Sequence, residues 1–486
     1  MEQYTCDVAI IAAGPAGLAA AISAAESGAD VHVFEKGNTT GGAGNMGMGP
    51  LGIGSRFQRK NLISLDADQA FKKFMDYTHW RVDAKLVRAY LSRSGETIDW
   101  LEDMGAEFAA VQRFFGESEQ TWHMVKPPSG KPGPRAASNL YRVMTERAAE
   151  LGVTFHLETP VVEILRNEER VTGLRALPLA GGEVVCEAKA VIVATGGFGD
   201  NPEMIEEFLG YRWGEDLFSF RIPGVKGEGM KMAWAVGAGK GDMNLEMIYK
   251  MPNTADACPD VSRVFNQPNV MINVLGERFI DESIMGNTTF TGNAIAQQKD
   301  RKAFVVIDST IKKHYVRRGL DNVSLVHPTF DCDNFDEQFA QQREAGNPDL
   351  FYGETLEELA QNMGVPYDTL QETVDTYNAY CEQGYDELMN KPHKYLRPLK
   401  KGPYYAGCFR PSAYGSLGGI KINHKTEVVT DDWTPILGLY AAGTDACSIF
   451  GDSYVFIMPG NTMGFCINSG RMAGENAAEY AAELEA

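Results

Sequence analysis

An α/β fold interrupted by an inserted α+β section is what this 486-residue sequence predicts, on three observations. An apolar strand, a glycine turn, an alanine-rich helix and a second apolar strand follow one another in residues 5–36. The same grammar, a buried strand running into glycines, returns at residues 184–197 and 437–443. Between residues 244 and about 383 it gives way to short strands mixed with helices, the composition expected of an insertion.

The first unit organises the rest. Residues 7–11 read as a buried strand, Gly14-Pro15-Ala16-Gly17 as a tight turn into a helix, and residues 31–34 as a second strand ending on Glu35. Glycine lets backbone N–H groups approach a pyrophosphate, the helix N-terminus adds partial positive charge, and the acid accepts from a ribose hydroxyl. Ala12 stands where the first glycine of that fingerprint belongs, and an alanine fits there if φ stays negative.

Composition narrows the function classes. The formal net charge of −20 argues against nucleic acid and anionic membranes as partners. No apolar run is long enough to span a bilayer, and no basic leader precedes the first strand, so a cytoplasmic protein is expected. The eight cysteines form no C-x-x-C pair and no iron–sulfur spacing, and the eight histidines show no metal spacing. No metal is expected, and electrons must come from another molecule.

After Glu35, residues 39–55 are glycine-rich yet carry Met46, Met48, Leu51 and Ile53, which suits backbone packed against a large flat ligand better than a loose linker. Residues 66–104 read as helices and 122–135 as a Pro/Gly loop with basic residues, Arg135 among them. Ser138 reads as the N-cap of a helix to about residue 150. Residues 153–165 and 171–177 read as a hairpin, and 184–193 as a strand ending in Ala194-Thr195-Gly196-Gly197. Thr355 and Glu358 form a capping-box pattern, and a helix follows Pro366. Residues 418–423 and 437–443 read as strands, and Pro459-Gly460-Asn461 opens the final helix.

Taken together, A-x-GPAG with Glu35, TTGGAGN, VIVATGG, LGERFIDES, LGGIKIN, GLYAAGTD and PGNTMGF resemble the flavoprotein family of soluble fumarate reductases, succinate dehydrogenase flavoprotein subunits, urocanate reductases and 3-ketosteroid dehydrogenases. The resemblance implies a Rossmann-like FAD-binding domain (residues 1–243 and 386–486) split by an α+β capping domain (244–385), with substrate held between cap and flavin. It implies hydride transfer between flavin N5 and an activated carbon–carbon bond, with a proton on the neighbouring carbon. Matching positions make Gly14, Ala16, Gly17, Glu35, Lys36, Gly42, Val162, Thr195, Gly197, Gly443, Asp445 and Met463 expected FAD contacts.

The substrate side departs from the dicarboxylate reductases. Their arginine and histidine positions fall here on Ile284-Met285-Gly286, Met251, Tyr414-Gly415 and Ile457. An unpaired carboxylate among such residues would cost several kcal/mol, about 2 or more in desolvation. Met251, Gly286, Ile457 and Gly460 are expected to line a site for a small hydrophobic substrate, a cyclic enone of ketosteroid type or an aryl-substituted conjugated acid. Tyr454 lies near the Tyr-Pro-Gly of the ketosteroid dehydrogenases and is the expected donor to a substrate carbonyl, and Tyr414 the expected proton-transfer partner. For each tyrosine the alternative is a packed aromatic with its hydroxyl on backbone. Three other functions stay open: an acrylate- or fumarate-type reductase using Lys250 or Arg263 for charge, a hydride-accepting oxidase, and a non-catalytic flavin carrier. An external electron donor or acceptor is required in every case.

Overall fold

The computed structural model describes residues 2–220, 222–254, 258–323, 329 and 331–484, so His327 lies outside the described residues. The chain forms two compact units. The first comprises Met1–Leu209, Arg221–Leu245 and Gly415–Ala486; the second comprises Gly210–Phe220 and Glu246–Tyr414. The second unit thus begins two residues inside the expected insertion of 244–385, adds Gly210–Phe220 and continues beyond it to Tyr414.

The first unit is built on a sheet of β1 (Glu2–Ile11), β2 (Val31–Phe34), β3 (Thr154–His156), β4 (Val161–Arg166), β5 (Val171–Ala176), β6 (Val184–Val193), β7 (Glu427–Val429) and β8 (Pro435–Ala441). The strand order is β7-β8-β6-β1-β2-β3, with the β4–β5 hairpin attached to β6 through β5. β1 pairs in parallel with β2 (Ile10 opposite Val33) and with β6 (Ile10 opposite Ile192). Strands buried on both faces are apolar throughout, which is why β1 and β6 end in unbroken Val/Ile/Ala runs. Helix α1 (Pro15–Glu26) follows β1, α2 (Ser138–Glu150) precedes β3, and α3 (Asn461–Glu483) closes the chain.

Backbone geometry corrects several expectations. Ala12 adopts φ 82°, so the alanine sits in the left-handed region rather than at negative φ. Its N–H reaches Phe34 O at 2.8 Å, a bond from the strand end that holds it there. Gly17 is then required, because a Cβ on it would strike the Ala12 carbonyl. Residues 153–165 do not form one hairpin arm. Glu158 at φ 51° and Pro160 break them into β3, parallel to β2, and β4, paired with β5. The expected loop begins instead as a strand, Trp122–Val125, antiparallel to Phe108–Gln112. Ser138 does not cap α2: Ala137 is the N-cap, and the Ser138 hydroxyl donates to Arg135 O at 2.8 Å. At Thr355 the side chain accepts from Glu358 N at 3.1 Å, but Glu358 reaches back to Glu354 N rather than Thr355 N, so the box is only half made.

The glycine-rich loop is tied down along that new strand. Val125 N donates to Met48 O (2.9 Å), His123 N to Pro50 O (2.9 Å) and Trp122 Nε1 to Gly49 O (2.8 Å). His123 is fully buried, and its tautomer follows from its partners. Nδ1 faces Thr121 O at 3.0 Å and must carry the proton, so Nε2 accepts from Ser55 Oγ at 2.8 Å. Ser55 Oγ in turn accepts from Gln58 N at 3.0 Å, capping the short helix Arg56–Lys60. Burial pushes the His123 pKa down to about 4.

The second unit holds its own antiparallel sheet, Val270–Asn273 against Ala303–Asp308, which pairs with Tyr404–Phe409, which pairs with Leu350–Gly353. Gly210–Phe220 joins it by backbone bonds, Phe218 N to Pro411 O and Phe220 N to Ala413 O, each 3.0 Å. A buried, charge-balanced cluster fixes the turn Glu282–Gly286: Arg278 bonds Glu282 (2.9 Å) and Asp386 (2.8 Å), and Lys391 lies 3.2 Å from Glu282.

Two outcomes are expected. Ala12→Gly should stabilise the protein by up to about 1 kcal/mol, since the left-handed cost to alanine slightly exceeds the entropy cost of glycine. Equilibrium unfolding in urea checks it. His123 is neutral when folded, so its contribution is complete above the unfolded histidine pKa and is lost as pH falls. With a folded value of about 4 against about 6.5 unfolded, roughly 2 kcal/mol should be gone by about pH 4.5. His123→Gln should show a shallower acid limb in the same titration.

Candidate active site

The β1–α1 turn presents a helix N-terminus with no side-chain cap and no acid in its first turn. A side chain at Gly14 would meet open space. An anion would find partial positive charge and approachable backbone there. Glu35 closes the turn: its carboxylate accepts from Ala13 N at 2.8 Å and Gly37 N at 2.7 Å, leaving each oxygen a further lone pair for a ribose hydroxyl. Val162 lies at the start of β4, half-exposed. The chain entering β4 is tied to the same corner by Thr159 N to Glu35 O (2.8 Å) and Glu158 N to Gly37 O (2.9 Å). Lys36 is turned aside, onto Gly224 O and Glu228, the latter at 2.9 Å.

The other expected positions converge on this turn. A Cβ on Gly42 would stand 3.4 Å from Gly14 Cα, and one on Gly443 would stand 2.9 Å from Ala16 Cβ. Glycine is needed at Gly443 twice over, for that approach and for φ 70°. Met463 lies against Gly47, filling the space a side chain there would need. Gly460, at φ 82°, is the N-cap of α3, and its carbonyl accepts from Leu51 N at 2.8 Å. Ile457 O accepts from Glu119 N at 2.7 Å.

Asp445 is fully buried and gathers the end of β6. Its carboxylate accepts from Gly197 N (2.8 Å), Gly196 N (3.2 Å), Thr195 N and the Thr195 hydroxyl (2.8 Å). Desolvation raises its pKa, and these four donors oppose the rise. Expected as a cofactor contact, this acid holds Thr195 and Gly197, two other expected contacts, in place.

The tyrosines divide. Tyr454 is buried, and its hydroxyl accepts from Thr462 N and pairs with Thr462 Oγ1, both at 3.0 Å, in the first turn of α3. Its ring lies on Phe450 at 4.9 Å. Tyr414, in the second unit, stacks on Phe220 with ring centroids 5.1 Å apart and planes 13° from parallel. Lys250 Nζ stands 5.0 Å from the Phe220 centroid. Tyr414 leaves 36% of its surface exposed and Phe220 44%, so the pair offers an open aromatic face. The Tyr414 phenol nevertheless lies deep enough among protein atoms, and near enough to the Glu246 carboxylate, for its pKa to be pushed up to about 12.

Of the expected substrate contacts, Met251 is almost wholly buried. It is buried in the core of the second unit, where Gly407 lacks a side chain because Met251 Sδ and Phe265 take that space. Gly286 is half-buried at the end of its turn. Two residues escaped the sequence reading. Phe220 sits in a stretch without periodicity, and Tyr141 reads as an ordinary core position of α2. Tyr141 is buried, and among the described residues its hydroxyl has no hydrogen-bond partner.

These features fit a dinucleotide: an uncapped helix end, an acid with spare lone pairs, glycines that leave room, and a buried phenol without a partner. The residues present therefore suit the expected FAD.

Comparison with known proteins agrees in extent and kind. A family model described as an FAD binding domain matches residues 7–456. A vinyl phenol reductase of Lactiplantibacillus plantarum is 31% identical, over 98% of this chain and 96% of its own. A urocanate reductase of Eggerthella lenta is 30% identical, over 98% of this chain and 75% of its own. The open conformation of a flavocytochrome c3 fumarate reductase is similar with a TM-score of 0.69 and 25% identity, covering 98% of this chain and 79% of that one. A 3-ketosteroid Δ4-(5α)-dehydrogenase from Rhodococcus jostii, at 24% identity, shares the fold with a TM-score of 0.78 over 98% of each chain. Among the described residues no helix is long and apolar enough to cross a membrane.

Replacing Asp445 by Ala should leave the Thr195–Gly197 N–H groups unpaired in the interior. A loss of about 3 kcal/mol is expected, read as a lowered unfolding midpoint together with weaker retention of bound flavin on gel filtration.

Proposed function

The chain belongs to the FAD binding domain family and is an FAD-dependent oxidoreductase of carbon–carbon bonds; from that premise we propose that it reduces a C=C bond conjugated to a carbonyl or aromatic ring in a flat, neutral substrate. The observation that carries this reading is the exposed parallel stack of Tyr414 on Phe220, an aromatic platform suited to a flat substrate, with the Lys250 ammonium 5.0 Å from the Phe220 centroid. The vinyl phenol reductase, similar over nearly the whole of both chains, supports an aryl-conjugated alkene over the cyclic enone.

Reduced FAD, when bound, supplies the hydride. The second proton and its delivery are the protein's task. In this reading Tyr414 gives its phenolic proton to the alkene carbon that does not receive the hydride. Its raised pKa keeps it protonated through the neutral range, so it arrives as a donor and is refilled from solvent. Tyr454 keeps its hydroxyl on Thr462 and serves to hold the opening turn of α3, with Asn461 and Met463 on it, in position. Gly286, Ile457 and Gly460 remain proposed substrate contacts. The glycine-rich cradle, Glu35 and Gly443 are proposed to bind the dinucleotide. An external donor supplies the two electrons, and their two protons come from water.

The reading is tested anaerobically. The holoenzyme is reduced chemically and mixed with a vinyl phenol, a cyclic enone and fumarate in separate reactions, and flavin reoxidation is followed by absorbance. Rapid reoxidation by the vinyl phenol, slower by the enone and none by fumarate is expected. Reoxidation by fumarate alone would replace this reading with a dicarboxylate reductase, and no reoxidation by any of the three would leave a flavin carrier. Tyr414→Phe should lower kcat by about 100-fold with little change in KM. The wild-type rate should stay flat with pH between about 6 and 9, because the donor titrates well above that window.

A further inference from the structure

Tyr141 lies on α2 with its side chain almost wholly buried, and its hydroxyl has no hydrogen-bond partner among the described residues. Buried hydroxyls are nearly always paired, because burial without a partner forfeits the bonds that water would have made. An unpaired buried phenol therefore points to a missing partner.

Its surroundings say what that partner is. A Cβ on Gly44 would meet the Tyr141 ring at 2.6 Å and would also meet Pro15, so the ring is wedged between the glycine-rich loop and the first residue of α1. Gly44 follows Gly42, which faces Gly14 across the cradle. The phenol thus borders the two segments that surround the dinucleotide. The polar groups nearby are engaged with one another. Thr145 Oγ1 donates to the Tyr141 carbonyl and pairs with Thr40 Oγ1, both at 2.7 Å, and Asn45 Nδ2 donates to Thr40 O at 2.9 Å. These side chains and Tyr141 line one cavity of about 340 Å³.

We propose that the Tyr141 hydroxyl donates a hydrogen bond to an oxygen of bound FAD, in its diphosphate or ribityl stretch. This would be a cofactor contact outside every glycine motif of the sequence. Burial, and then the nearby Cys466, hold the phenol well above its ordinary pKa, so it is present as an O–H donor at all working pH values. A phosphate or ribityl oxygen is the matching acceptor. The glycine at position 44 then has a use: only without a side chain there can a tyrosine ring reach the cradle from α2.

The test is Tyr141→Phe in the full-length protein. The affinity for FAD is measured by flavin fluorescence on flavin-free protein, and the unfolding midpoint with and without FAD. An isosteric loss of a donor to the cofactor should weaken FAD about tenfold. The flavin-free midpoint should stay level or rise, because the removed hydroxyl has no partner there. Tyr90→Phe is the contrast, since the Tyr90 hydroxyl is bonded to Asn461 Oδ1 at 2.8 Å and its loss should lower the flavin-free midpoint. Unchanged FAD affinity in Tyr141→Phe would overturn the proposal. So would a lowered flavin-free midpoint, which would mean that the hydroxyl is paired within the protein.

Discussion

The closeness of α3 to α1 is the constraint on which the first unit depends. Gly470 and Gly474 face Ala16 and Ala20, and a Cβ on either glycine would strike the carbonyl opposite. Helices normally pack at about 8–10 Å between axes, with side chains interleaved. Here small residues on both helices remove the spacer, and the last helix of the chain lies directly on the first. Gly443 can then come against Ala16, its N–H donating to Ser469 Oγ at 2.9 Å. One seam of small residues thereby brings the strand end of β8, the turn of β1 and the opening of α3 to a single edge of the sheet. In parallel sheets that carboxyl edge is where ligands bind.

Charge in that edge is arranged by backbone rather than by cations. The uncapped α1 terminus faces the cradle, and the two acids beside it are occupied by N–H donors: Glu35 by Ala13 and Gly37, Asp445 by Thr195 to Gly197. An acid bonded in this way fixes a turn, and its N–H donors offset part of the charge it would otherwise present to a diphosphate at the helix end. Lys36 follows the same economy in reverse. It pairs with Glu228 at the surface instead of reaching inward, and an exposed pair of that kind contributes less than about 1 kcal/mol.

Much of this was legible in the sequence, because the first unit is written in local signals. The β1–α1–β2 segment shows its apolar strands, its turn glycines, its alanine-rich helix and its acid within residues 5–36, and β2 and the end of β1 lie where those signals put them, although β1 begins earlier, at Glu2. What could not be read depended on distant partners. Trp122–Val125 is four residues long, and nothing local marks it as a strand; the glycine-rich loop and Phe108–Gln112 make it one. Gly210–Phe220 joins the second unit through backbone bonds to residues 411 and 413, a pairing no local pattern encodes. Ala12 is the opposite case. Its residue type predicts negative φ, and the packing of Gly17 beneath it and the bond to Phe34 O override that preference.

The same distinction separates the two tyrosines expected to serve the substrate, Tyr454 as donor to a carbonyl and Tyr414 as proton-transfer partner. Tyr454 lies three positions after Gly451 and shortly before the glycine that opens α3, so its hydroxyl finds a backbone N–H within its own segment and is spent there. Tyr414 stands on a strand with Phe220 as its neighbour, and no helix end lies close enough in sequence to claim it. A phenol kept protonated and partly open to solvent can exchange its proton, whereas one whose oxygen already accepts from a helix N–H is held by the structure it supports. The proposed division of labour between a proton donor and a positioning residue therefore rests on what each hydroxyl has beside it. It does not follow from residue type, which is the same in both.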